Sequence, residues 1–267
     1  MGKHRRIWLA ASALTLMCGI GWLLLNSLES EPVYQGKQLG AWLETYLVPR
    51  PKHEQAWQQA DGAVRQIGTN AIPTLLTMLR HSDSAPWKRR FLDLAYKQHL
   101  IKFNHTIAWR QNWCAANAFG ALGADASVAV PALIKLYENP VSSPSQRYTA
   151  MALRNIGPAA KLAIPSLLRA ANTSTEEEVK TAAVFALGGI HSEPELVVPV
   201  LKRCMGDTSV EVQKAAIDGL GNFSEEAKSS VPALIELLQN PNQEITKHAR
   251  TALLRIDSEA ATKAGIR

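Results

Sequence analysis

An all-α fold is predicted for this sequence: a right-handed solenoid of stacked helix pairs, preceded by one N-terminal transmembrane helix. Three observations carry the prediction. A charge-free apolar run occupies residues 7–28, an apolar-proline marker recurs about every 34 residues, and apolar residues between the markers follow helical spacing. With 46% hydrophobic and 19% charged residues, the 267-residue chain is too apolar for a disordered one. Three cysteines exclude a disulfide-built scaffold.

The apolar run comes first. Its 22 residues reach about 33 Å as a helix, enough for a hydrocarbon core of about 30 Å. Lys3, Arg5 and Arg6 precede it, and Glu29 and Glu31 follow. The positive-inside rule leaves residues 1–6 in the cytoplasm and places everything after Leu28 beyond the membrane. A cleaved signal peptide is the competing reading, but no A-x-A-like site follows the run and its length exceeds the usual signal core.

The marker appears at Ile72-Pro73, Val130-Pro131, Ile164-Pro165, Val198-Pro199 and Val231-Pro232, with spacings of 58, 34, 34 and 33. Twelve residues before the last four prolines stand Phe119, Leu153, Leu187 and Leu220; nine before stand Leu122, Ile156, Ile190 and Phe223. Two residues after the prolines come Leu75, Leu133, Leu167, Leu201 and Leu234. Each unit reads as two helices. The first carries a stripe such as Val179, Ala182, Ala183, Ala186 and Leu187, and is expected to stop at Gly123, Gly157, Gly188-Gly189 or Gly221-Asn222. The second opens with proline in its first turn, where a missing N–H costs nothing. So short a pair cannot bury its own stripe, so neighbours must stack.

The blocks Ala118-Phe-Gly-Ala-Leu-Gly123 through Val130-Pro-Ala-Leu-Ile134, and Val179-Lys-Thr-Ala-Ala-Val-Phe-Ala-Leu-Gly188, resemble HEAT repeats. They are similar to the HEAT-like variety also seen in phycobilisome lyases. The stretch Tyr34-Gln-Gly-Lys-Gln-Leu-Gly-Ala-Trp-Leu43 resembles a leader found before such repeats in membrane-anchored bacterial proteins, most of which have no assigned activity. The resemblance implies a solenoid and a binding role. HEAT-like deoxyhypusine hydroxylases hold iron with several His-Glu pairs; His53-Glu54 is the single one here, which argues against that activity.

Along the chain, residues 29–53 are expected to be a polar linker and a capping helix. Residues 54–111 form an atypical first repeat with a basic, Trp-containing insertion, and 86–100 read as an added helix followed by a loop over 101–110. Residues 112–241 carry four regular repeats, and 242–267 close the array.

Two candidate sites follow. Four residues beyond the markers lie Lys135, Arg169, Arg203 and Glu236, which stacking would align into a partner-binding ladder on the second helices, expected to form the concave face. In the insertion, Lys88, Arg89 and Arg90 adjoin Trp87, a pattern that suits an anion or anionic polymer. Residues 31–113 carry 11 Lys/Arg against 6 Asp/Glu, and residues 114–267 carry 15 against 16. A surplus of five is far from a nucleic-acid-binding charge density, so that partner is unlikely. No metal-ligand frame, cofactor motif or catalytic constellation stands out. Cys114 and Cys204 read as buried, inert thiols, and Glu176-Glu-Glu178 as a helix-opening charge run. The expected function is a membrane-anchored, non-enzymatic scaffold binding a protein outside the cytoplasm. The alternatives are a bilin-lyase-like chromophore handler and an anionic-polymer binder.

Overall fold

A computed structural model describes residues 31–82 and 108–266. The expected transmembrane helix at 7–28 and the insertion residues Trp87, Lys88, Arg89 and Arg90 lie outside the described residues.

The described chain opens with a two-stranded antiparallel hairpin, β1 (Val33–Tyr34) and β2 (Lys37–Gln38). Gln35 and Gly36 both take positive φ between them, as the tightest hairpin turns require. The segment expected to be a polar linker is thus partly paired. Helix α1 (Leu39–Leu43) continues as a 3-10 turn over Glu44–Leu47. Its Leu39, Leu43 and Tyr46 are fully buried and cover the end of the array. Tyr46 donates its hydroxyl to Asp61 Oδ1 at 2.6 Å, and its carbonyl accepts from Trp113 Nε1 at 2.8 Å.

Six helix pairs follow among the described residues: α2 (Glu54–Ile67) with α3 (Ile72–Leu79), α4 (Ala108–Leu122) with α5 (Val130–Glu138), and α6 (Ser143–Ile156) with α7 (Ile164–Thr173). Then come α8 (Glu177–Ile190) with α9 (Pro194–Cys204), α10 (Val210–Phe223) with α11 (Val231–Glu236), and α12 (Gln243–Ile256) with α13 (Ser258–Lys263). The repeat register is the packing register. Phe119, Leu153, Leu187 and Leu220 are fully buried, as are Leu75, Leu133, Leu167, Leu201 and Leu234. Ser142, Ser209 and Asn242 cap α6, α8's successor α10, and α12 by accepting from backbone N–H groups in the first turn.

From α4 onward, first helices stack closely on one another in chain order, while each second helix packs chiefly against the first helix that follows it. The stretch Ala108–Glu138 is long and apolar enough by composition to cross a membrane. Here it is a helix pair, turned at Gly123, whose apolar side chains form repeat core.

Three expectations need correction. Helix α4 begins at Ala108, so Ala108, Trp109 and Arg110 are helical rather than part of a loop. The first helices end one residue after their last core side chain, at Gly68, Gly123, Gly157, His191 and Ser224, all with positive φ. Gly188, Gly189 and Gly221 are therefore inside their helices, where the missing Cβ admits a neighbour: Gly219 Cα, the Arg154 side chain and Ala252 respectively. Finally, α9 starts a turn early at Pro194, which leaves Pro199 in the helix interior instead of at its opening.

Candidate partner-binding groove

An apolar concavity crosses the first-helix row. It encloses about 460 Å³ and is lined from four successive first helices: Trp113 of α4, Arg147, Tyr148 and Met151 of α6, Glu177, Glu178, Thr181, Ala182 and Phe185 of α8, and Glu211 of α10. Its floor is aromatic and apolar. Trp113 and Tyr148 meet edge to face at 6.3 Å, a favourable arrangement for two ring quadrupoles. Phe185 is 39% exposed, a cost the stack accepts at a position out of phase with the buried Val179, Ala183, Ala186 and Leu187. Ala182, read from sequence as core, is half-exposed on the same floor.

One edge of the groove is acidic. Glu177 and Glu178 occupy the first turn of α8 and Glu211 that of α10, where carboxylates suit the positive helix end. They also tie helices together. Arg147 Nη1 reaches Glu178 Oε2 at 2.9 Å, the Ser209 hydroxyl donates to Glu177 Oε1 at 2.7 Å, and Lys214 Nζ lies 2.9 Å from Glu211 Oε1. Cations already stack on the rings: the Arg147 guanidinium lies 4.9 Å from the Tyr148 centroid and that of Arg154 4.0 Å from Phe185. Burial lowers the Arg154 pKa from its ordinary value, opposed by the Asp218 carboxylate.

The ladder residues fall elsewhere. Lys135, Arg169, Arg203 and Glu236 are all exposed at the same register on α5, α7, α9 and α11. Two of them lean back on the preceding repeat. Arg169, 67% exposed, pairs with Glu138 at 3.5 Å, and Arg203 Nη2 donates to Asn172 Oδ1. Arg169 also borders a smaller hollow of about 260 Å³ with Tyr137, Glu138, Gln146 and Ser166.

Cys114 is buried on α4, and burial pushes its thiol up to about 12; Cys204 on α9 is buried and shifted the same way. Among the described residues, no group of three His, Cys, Asp or Glu side chains gathers in a metal-holding arrangement. Sequence reasoning missed half-buried Met151 and exposed Phe185 as groove residues. The usable signal was Phe185 itself, a large aromatic one position beyond the buried pair Ala183 and Val184 and off their stripe.

Residues 197–264 match the family model described as HEAT repeats. This part of the chain carries HEAT repeats. The matched span runs from α9 to α13, and the same register of buried residues continues upstream through Leu187, Leu153 and Phe119. No curated protein matches the chain. Among solved structures, an engineered protein is 25% identical, with 91% of this chain and 71% of that chain covered and a TM-score of 0.46. A second engineered protein is 26% identical over 66% of this chain and 84% of that one, with a TM-score of 0.42. A designed armadillo repeat protein in complex with the peptide (KR)4 is 20% identical over 83% of this chain and all of that one, with a TM-score of 0.45.

Proposed function

We propose that this HEAT array is a non-enzymatic scaffold that binds a protein partner along the first-helix groove. The observation that carries the reading is a continuous apolar floor, Trp113–Tyr148–Met151–Phe185, contributed by three successive HEAT helices. Exposed Phe185, half-buried Trp113 and Met151 and buried Tyr148 gather in one concavity, which is the composition of an interface core, whereas singly scattered apolar residues are ordinary surface. The Lys135, Arg169, Arg203 and Glu236 column is a proposed second contact, a charged strip that a partner large enough to reach the second helices would read.

We further propose that residues 7–28 anchor the right-handed solenoid in a membrane with the HEAT array on the extracytoplasmic side. This rests on the length of the charge-free run and on the basic residues before it. Carbonate extraction and protease protection of the full chain test it: a protein released by carbonate, or an array protected with the cytoplasm, overturns it.

Site-specific photo-crosslinking tests the groove. A photoreactive residue at Phe185 or Met151 is expected to give one discrete adduct, absent when it is placed at exposed Leu162 or Leu196. An adduct formed only from the Arg169 and Arg203 positions would move the interface to the second-helix column.

A further inference from the structure

We infer that the segment this groove takes is basic: an extended stretch of a protein partner in which lysine or arginine alternates with apolar or aromatic side chains. The inference rests on the groove reading above and adds the chemistry of the occupant.

Charge is the first argument. The chain as a whole is net positive at +6, yet the groove lining carries Glu177, Glu178 and Glu211 against Arg147, with Lys214 beside Glu211 at its margin. The local sign is opposite to that of the molecule, so a basic segment gains at this edge what it would lose elsewhere on the surface. Arg147 is committed to Glu178 and Lys214 to Glu211, while Glu177 is held by a hydroxyl, the Ser209 Oγ.

The second argument is the pairing of that acidic edge with an aromatic floor. Trp113 and Phe185 offer apolar surface that takes the aliphatic stem of a lysine or arginine, backed by buried Tyr148. Arg147 over Tyr148 and Arg154 over Phe185 show that these rings accept guanidinium groups in this setting. Thr181 Oγ1, also on the lining, is buried without a hydrogen-bond partner among the described residues.

Dimensions set the length. Four adjacent helices at about 8–10 Å spacing span roughly 24–30 Å, which an extended chain crosses in about eight or nine residues. Successive side chains of such a chain point to opposite sides. One set then meets the carboxylate edge and the other the floor.

Fluorescence anisotropy on the full chain tests this with three labelled nine-residue peptides of one apolar pattern, carrying Lys/Arg, Gln or Glu at the alternate positions. The basic peptide is expected to bind tightest at low salt. Glu177→Gln with Glu211→Gln is expected to weaken it about tenfold, to the level of the Gln peptide, as two exposed charge pairs allow. Phe185→Ala is expected to weaken all binding, and circular dichroism confirms that each variant is folded. Equal binding of the three peptides, or a basic preference retained by the double variant, overturns the inference. If Phe185→Ala still weakens those equal affinities, the groove reading survives without its charge preference. Binding unaffected by Phe185→Ala, or no binding of any peptide, overturns both.

Discussion

A Cβ placed on Gly188 would stand 2.4 Å from the Cα of Gly219, so α8 and α10 meet backbone to backbone in the middle of the array. This crossing draws the first helices together beneath the groove. Gly188→Ala must push the two helices apart, and overpacking of this kind costs about 1–3 kcal/mol, more than the ~1 kcal/mol gained in helix propensity. Gly62, inside α2, has open space where its Cβ would go. Gly62→Ala is therefore expected to stabilise by up to about 1 kcal/mol. Urea denaturation of the two variants reads the opposite signs.

Ser224 closes α10 with φ 49° and ψ −125°, beside the glycine-like values of Gly68 and Gly157 at the same repeat position. A side chain there is strained. Ser224→Gly is expected to stabilise the chain by about 1 kcal/mol, and Gly157→Ala to destabilise it by at least that much. Thermal melts of the pair decide the matter; a destabilised Ser224→Gly would show that the hydroxyl matters more than the backbone.

Asp207 lies in the turn between α9 and α10. Burial pushes its carboxyl up, but the Lys180 ammonium and the backbone N–H groups of Ser209 and Thr208 outweigh that and hold it below the ordinary value. A depressed native pKa gives stability that is complete above the unfolded-state value, about 3.9, and lost as pH falls through the native one. The stability gap between wild type and Asp207→Asn is thus expected to be constant from pH 7 to 5 and to close below pH 4. A gap that persists in acid would assign the effect to packing.

Leu187 and Phe185 are two residues apart on α8, one fully buried and the other at the groove. Leu187→Ala is expected to cost about 2–5 kcal/mol, as buried leucine truncations do. Phe185→Ala is expected to cost less than about 1 kcal/mol and so separates binding from folding. Equal losses in urea melts would place Phe185 in the core instead.

With the thiol of Cys114 raised to about 12 and Cys204 buried, neither offers thiolate at neutral pH. In a Cys18→Ser background, native protein at pH 8 is expected to resist an aromatic disulfide reagent. Two thiols should then titrate in guanidinium. Rapid native labelling would reveal opening of α4 or α9.

Much of the architecture was legible in the chain because each repeat writes its own core. Leu153, Leu187 and Leu220 recur at one register since each must fill the same space between a helix and the next pair, and that demand is local enough to appear as a period. The turns were half legible. Gly123 and Gly157 mark them, whereas Gly188 and Gly221 resemble turn residues but serve close helix approach, which depends on what lies opposite.

The groove itself was decided only by tertiary structure. Trp113, Tyr148, Phe185 and Glu211 are spread over nearly a hundred residues, and Phe185 and Glu211 stand at exposed positions where nothing requires the residue type to repeat. Periodicity reports burial, and a binding surface is made of side chains that escape it. Stacking alone brings those side chains side by side. The same stacking turned Arg169 and Arg203, equivalent in sequence, toward Glu138 and Asn172 of their preceding repeats.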